Sequence, residues 1–283
     1  MYYTLKVENQ SGEILDFTNN KNYDVLKIDG LTPPSASLNF STMANFDGSI
    51  YNSAQLGNRN IVLTIKVHND VEANRINLYG IFKLKKKVRL YYVNGLRDVY
   101  IDGYVETFEG DLFVINEQIQ ISIICPNPYW KENKSTSIEF SNVVDLFEFP
   151  FAIEEEGIEF SRLNQISTEY IDAGEVEVGA IIEFHALTNQ ILNPKIYNRT
   201  TQTFFGINFD MNEGDTIRIN TIRGEKSVVL IRDGAEINII NNLIQGSTWI
   251  QLIPGNNEIS YECDEGSANV VVTVTATKCF EGV

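Results

Sequence analysis

Histidine and cysteine are scarce in this sequence, with two of the first and three of the second in 283 residues. So few histidines leave little from which to build a Ser-His-Asp or Cys-His mechanism. His68 closes an alternating strand and His185 ends the run Ile181-Ile182-Glu183-Phe184, and neither has a second histidine or a cysteine at ligand spacing. Both read as surface or strand-edge residues rather than metal ligands or general bases. Cys125, Cys263 and Cys279 are odd in number, widely spaced and without a C-x-x-C pair, which speaks against a disulfide framework and a zinc site. Cys263 and Cys279 could meet across neighbouring strands, but small core residues are the simpler reading. No run of about 18 apolar residues occurs, and Met1-Tyr2-Tyr3-Thr4-Leu5-Lys6 lacks a basic-then-apolar signal region. Neither a membrane span nor export is expected, so the chain reads as made in a reducing cytoplasm and the Asn-x-Ser/Thr matches at Asn39, Asn133 and Asn198 carry no meaning. G-x-S-x-G, P-loop and H-E-x-x-H motifs are also missing. Positive charge is short as well: 22 Lys and Arg stand against 38 Asp and Glu, a net of -16 that argues against nucleic-acid binding.

The deficit is uneven. Residues 1–134 carry 14 basic and 15 acidic residues, whereas residues 135–283 carry 8 and 23. A break in composition accompanies the break in charge. Cys125-Pro126-Asn127-Pro128-Tyr129-Trp130 stops a strand, and Lys131 to Thr136 reads as a polar linker. Two domains are therefore expected, 1–134 and 135–283.

The first half is mostly strand. Tyr3 to Val7 alternates, as do Ile61, Leu63, Ile65 and Val67. Val88–Val93, Asn94-Gly95 and Val99–Val105 form a predicted hairpin, because Asn-Gly tolerates the positive φ of a tight turn. Phe113-Val114-Ile115 and Ile119, Ile121, Ile123 continue the sheet. One helix is expected after Asn69-Asp70, which offer capping oxygens, with Val71, Leu78, Tyr79 and Phe82 near one face. Lys83, Lys85, Lys86 and Lys87 suit its carboxyl end or a solvated surface, and could also meet an acidic partner. Ser35 to Thr42 alternates, with Leu38 and Phe40 on one face. Met43 to Asn60 reads as a long irregular loop, and such loops in compact domains usually reach a partner.

The second half shows short apolar runs between turn signals: Ala180–Ala186, Lys195–Asn198, Phe204–Phe209, Thr216–Ile222, Ser227–Ile231, Trp249–Leu252, Glu258–Cys263 and Ala268–Thr277. That spacing argues for an antiparallel β-sandwich or jelly roll. Three constellations could carry chemistry. Glu154-Glu155-Glu156 with Glu159 could be imagined as glycosidase carboxylates, but consecutive glutamates point apart. Asp210 to Asp215 fails the EF-hand pattern, since Gly214 holds its fifth position and Thr221 its twelfth. Tyr197, Phe204, Phe205 and Trp249 could form a sugar-stacking platform, although aromatics in such sandwiches usually sit in the core. No nucleophile–base pair, metal set or cofactor motif is visible, so neither catalysis nor a cofactor is expected.

The order of these pieces resembles the distal tail protein (Dit) family of tailed bacteriophages. In the first half the early strands, Phe46-Asp47-Gly48-Ser49, a strand, a helix and a hairpin lead to Ile123-Ile124-Cys125-Pro126-Asn127-Pro128-Tyr129-Trp130, similar to the family's strand-end C-x-P-Y/F signature. In the second half come Gly174-Glu-Val-Glu-Val-Gly179, Asn193-Pro194-Lys-Ile196, Asn212-Glu-Gly214-Asp215-Thr-Ile217-Arg-Ile219, Val228-Val-Leu230 with Asp233-Gly234, Ser247-Thr-Trp249 and Pro254-Gly255-Asn256-Asn257. The resemblance implies a mainly β, β-rich (α+β) ring-forming first domain with one helix and a galectin-like antiparallel β-sandwich as the second. It implies a homohexameric ring at the tail tip or baseplate of the virion, with no enzymatic activity, joining the tail tube protein to the baseplate hub or tail-associated protein. Receptor-binding proteins are further implied partners, with a projecting loop or hairpin gripping the neighbouring subunit. The expected inter-subunit contacts are Phe46, Asp47, Tyr51, Asn94 and Gly95. The expected surface for peripheral partners or glycan is Phe204, Phe205 and Trp249. The competing reading is a carbohydrate-binding protein that recognises bacterial cell-wall glycan through the second domain.

Overall fold

The computed structural model describes residues 3–44, 47–111, 117–141, 168–188 and 190–283. The chain divides into two compact units, Met1–Asn133 with Phe280–Val283, and Lys134–Cys279. Phe46, the run Phe113-Val114-Ile115 and the acidic cluster Glu154 to Glu159 lie outside the described residues.

The first unit holds β1 (Thr4–Asn9), β2 (Ile14–Asp16), β3 (Tyr23–Asp29), β4 (Ala36–Thr42), β5 (Ser49–Leu56), β6 (Arg59–Val67), α1 (Val71–Ile81), β7 (Lys87–Val93), β8 (Asp98–Gly110), β9 (Gln118–Cys125) and β10 (Trp130–Glu132). Its main sheet runs β2-β1-β7-β8-β9-β6-β3. Every neighbouring pair along that path is antiparallel. Side chains on a strand alternate between faces, so Ile61, Leu63, Ile65 and Val67 of β6 all point inward and are buried. Ile119, Ile121 and Ile123 of β9, with Val99, Ile101 and Val105 of β8, extend the same apolar layer, and Leu78, Ile81 and Phe82 from α1 and its end join it.

Local details differ from expectation at three places. The Asp70 side chain makes no cap; instead Asn74 Nδ2 reaches back to the His68 carbonyl at 3.0 Å, and Asn69 takes a φ of 49° to bond Lys21 O. Tyr79, expected on the buried face, is exposed and packs edge-on to Phe108 at 4.7 Å. The β7–β8 turn is wider than a two-residue Asn-Gly turn. Val93 pairs with Asp98, and the four residues between are closed by the Asn94 N–H to Arg97 O bond at 2.9 Å. Asn94 Oδ1 accepts the Leu96 and Arg97 N–H groups, so its side chain does the work expected of positive φ. The third difference is the predicted linker. Trp130–Glu132 pairs antiparallel with β8 because the Trp130 ring is fully buried and pins the segment to the sheet.

The second unit holds β11 (Thr136–Ser141), β12 (Thr168–Asp172), β13 (Val178–Ala186), β14 (Ile191–Leu192), β15 (Lys195–Asn198), β16 (Thr203–Gly206), β17 (Asp210–Met211), β18 (Thr216–Asn220), β19 (Ser227–Arg232), β20 (Ala235–Asn238), β21 (Gln251–Leu252), β22 (Asn256–Glu262) and β23 (Val270–Ala276); β24 (Cys279–Phe280) marks the return to the first unit. One sheet runs β11-β23-β13-β18-β19-β20 and another β12-β22-β15-β16. Val270, Val272, Val274 and Ala276 turn inward from β23, which lies between β11 and β13. Phe140 of the first sheet meets Tyr261 of the second at 5.7 Å. All eight predicted runs carry strands; β11, β12, β14, β17 and β20 of this unit are additional to them.

Candidate functional site

The stretch from Met43 to Asn60, expected to be irregular, instead contains β5, which pairs with β4 as a two-stranded ribbon that is not part of the main sheet. Its register explains its character. Ala36 faces Leu56, Leu38 faces Ala54, and Phe40 faces Tyr51, so these six share one face. Ser37, Asn39, Ser41, Ser53 and Gln55 take the other, where Asn52 Nδ2 donates to Ser41 Oγ at 2.6 Å. A bulge at the Asn39/Phe40 step leaves Asn52 without an opposite residue and brings Tyr51 onto the apolar face. The Phe40 and Tyr51 rings then meet edge to face at 6.0 Å. None of this face is covered: Leu38 is 55% exposed, Phe40 49% and Tyr51 57%. Ile50, opposite Ser41 on the other face, and Met43 beyond the end of β4 are exposed as well.

The ribbon springs from a rigid root. Gly30 ends β3 with a φ of 87°, and a Cβ there would lie 2.2 Å from the Asn60 carbonyl oxygen, so only glycine fits. Arg59 opens β6 on the other side and is 1% exposed. Burial lowers its pKa from the ordinary value, with no carboxylate among its acceptors.

Of the predicted contact residues, Asp47 and Tyr51 belong to the ribbon, whereas Asn94 and Gly95 occupy the β7–β8 turn. That turn presents Leu96, 97% exposed, at its tip. Asn94 and Gly95 line an open depression of about 550 Å³ with Tyr3, Phe17 and Asn19. Sequence reasoning named Leu38 and Phe40 as one strand face but not as contact residues. Their alternation was the available signal.

In the second unit the three predicted aromatics separate. Phe205 is 1% exposed and belongs to the core, since neighbours on a strand point to opposite faces. Trp249 is half-buried against it at 4.8 Å, with Lys226 Nζ 5.3 Å from the indole. Phe204 turns to the other face and meets Tyr197 at 6.0 Å; the Arg199 guanidinium lies over Tyr197 at 4.4 Å. Tyr197 Oη donates to Glu262 at 3.0 Å, and Arg199 Nε to Ser260 Oγ at 2.7 Å. Nearby, Lys195, Asn193 and Asp264 line an open depression of about 360 Å³ with Ile244 and Gln245. Lys195 bonds Asp264, which lowers the carboxyl pKa and raises that of the amine. Asn193 Nδ2 donates to the same carboxylate at 2.9 Å, while its buried Oδ1 has no hydrogen-bond partner in the structure.

The titratable residues considered above have ordinary hydrogen-bond partners or lie buried. His68 bonds Asp24 at 2.6 Å and His185 bonds Thr216 at 2.9 Å. All three cysteines are buried and none is in a disulfide, and burial pushes the Cys125 and Cys263 thiols up to about 12. Asp215 accepts from Arg232 and from the Asn212 N–H, tying its loop to β19. Among the described residues, no group of three His, Cys, Asp or Glu side chains gathers. No helix among them is long and apolar enough to cross a membrane.

Comparison with known proteins follows the same line. Residues 173–277 match the family model described as siphovirus-type tail component, C-terminal domain. No curated protein matches the chain. The fold is similar to that of SPP1 Dit (gp 19.1), described as a paradigm of the hub adsorption apparatus in phages infecting Gram-positive hosts: TM-score 0.69 and 13% identity, covering 99% of this chain and 100% of that one. It is also similar to a chain of the phage P2 baseplate in its activated conformation with Ca, at TM-score 0.56 and 12% identity over 100% of both chains. The corresponding structure with Sr gives 0.54 at 12% identity, again over 100% of both. The resemblance to distal tail proteins therefore holds, as does the mainly β architecture.

Proposed function

We propose that this chain, a tail component of siphovirus type by the domain that residues 173–277 carry, builds a ring at the tip of a phage or phage-like tail. The ring joins the tail tube to the baseplate hub and offers attachment points to peripheral or receptor-binding proteins. The observation that carries this reading is the β4–β5 ribbon. Isolated two-stranded ribbons are marginal in water, and this one leaves Leu38, Phe40 and Tyr51 uncovered on a single face. A ring requires a heterologous interface, in which one surface of each copy meets a different surface of the next. The ribbon supplies the reaching surface of such an interface.

The test is mass in solution by native mass spectrometry, with and without tail tube protein. The full chain should form a hexamer in at least one of these conditions. Replacing residues 35–57 by a short Gly-Ser turn should leave a folded monomer in both. A hexamer that persists without the ribbon overturns the reading, as does a full chain that stays monomeric in both conditions.

One observation favours a second reading, recognition of cell-wall glycan by the second unit. The depression beside Lys195 combines an unpaired acceptor, Asn193 Oδ1, with ammonium and carboxylate groups that already compensate each other. Such a site suits an uncharged, hydroxyl-rich ligand. Glycan-array binding that Asn193→Ala abolishes would support this reading; a blank array would remove it.

A further inference from the structure

We infer that Arg59 is the positioning residue of the ribbon and that Phe280–Val283 is a strap that completes its socket. The inference rests on the ribbon reading only for its effect on assembly; its effect on the ribbon root is separate. A guanidinium offers five N–H donors in a fixed plane. Here Nε donates to Pro128 O at 2.6 Å, Nη1 to Gly30 O at 2.6 Å and to Thr32 O at 2.7 Å, and Nη2 to Glu281 O. One side chain thus gathers the segment entering the ribbon, the loop after β9 and the strap. Its own backbone is where the chain leaves the ribbon, so both sides of the root are fixed by a single residue.

The strap touches the root twice more. Val283 N–H donates to Leu31 O at 3.2 Å, and a Cβ on Gly282 would lie 3.0 Å from Pro33 Cδ. At its other end the Phe280 ring lies 4.0 Å from the Arg97 guanidinium, in the β7–β8 turn. The strap therefore links the root of the ribbon to the turn that presents Leu96, the two elements that reach outward from this unit. A buried cation whose hydrogen bonds all go to carbonyls depends on each carbonyl that faces it. Loss of the Glu281 carbonyl leaves an N–H group unsatisfied in a buried site, and removes the nearby Glu281 charge with it. Lysine cannot substitute, because its three donors radiate from one atom and cannot span acceptors set around a plane.

The experiment uses the full chain, diluted until monomeric, and measures amide hydrogen exchange in residues 28–34 and 57–61. Three variants are compared: Arg59→Lys, Gly282→Val, and a chain ended at Phe280. Each should raise exchange at the root by roughly tenfold or more, the scale of one charge-assisted hydrogen bond, while β9 and β23 stay protected. Emission from Trp130, whose ring centre is 5.9 Å from the Arg59 guanidinium, should shift to the red in a Trp249→Phe background. Should Arg59→Lys fail to fold, the other two variants still decide the matter. Unchanged root exchange in the chain ended at Phe280 overturns the strap. Raised root exchange with unchanged assembly leaves the strap standing and removes the ribbon from the ring interface.

Discussion

Replacing Leu38 and Phe40 together by serine separates assembly from folding. Fully burying a side chain of this size contributes about 1.5–3 kcal/mol relative to leaving it in water. In the single chain these two remain 55% and 49% exposed, so roughly half of that gain is still to be made. The double variant should then weaken each subunit contact by about 1.5–3 kcal/mol, or roughly 10- to 150-fold in its dissociation constant. The monomer should hardly notice, because substitutions at exposed sites usually shift stability by no more than about 0.5 kcal/mol. Sedimentation velocity over a dilution series reads the first quantity, and thermal unfolding by circular dichroism reads the second. Asn39→Ala, on the polar face of the same strand, is the control and should leave both unchanged. Two results would refute the reasoning: an unmoved association midpoint, or a monomer melting several degrees lower. The first would mean that the apolar face lies outside the interface, the second that the face already supports the fold.

Two further predictions concern the titratable groups. The Asp215 carboxyl is held below the ordinary carboxylate range by its bond to Arg232, joined by the Asn212 N–H. A carboxylate with a depressed folded pKa stabilises the fold above its unfolded value, near 3.9, and loses that contribution as pH falls through the folded value. Asp215→Asn should therefore lower the melting temperature at pH 7 and flatten its decline below about pH 4; parallel melting curves for the two proteins would contradict this. With the Cys125 and Cys263 thiols pushed up to about 12 by burial and Cys279 also buried, a thiol reagent at pH 7.5 should leave the native protein unmodified. It should label three cysteines in denaturant, and rapid labelling of the native chain would show that the core around β9 or β22 opens.

Where periodicity and burial agree, the fold is legible in the residues. Ile61, Leu63, Ile65 and Val67 announce β6, and Val270 to Ala276 announce β23, because a strand packed on one face must alternate. The ribbon is legible only on its first strand. In β5 the adjacent Ile50 and Tyr51 and the bulge at Asn52 break the period of two, so the segment reads as irregular. Phe204 and Phe205 carry the opposite lesson: adjacent residues in a strand covered on one face cannot both face solvent, which already divides the pair. Arg59 gives no local sign of its place. A cation at the start of a strand looks like a surface residue, and its burial is decided by Glu281, 222 positions further along. The depression beside Lys195 is equally hidden, since Asn193, Lys195 and Asp264 converge only after β14, β15 and β22 have closed around them.

The return of Phe280–Val283 to the first unit also sets a timetable for synthesis. Residues 134–279 must be made between Asn133 and the first residue of the strap. At ribosomal speeds of about 5–20 residues per second that interval lasts roughly 7–30 seconds. Throughout it the nascent first unit holds Arg59 with the Glu281 carbonyl still to come. The Glu281 acceptor of Arg59 thus arrives only after the whole second unit has been made, so the root of the ribbon is completed later than the sheet that carries it.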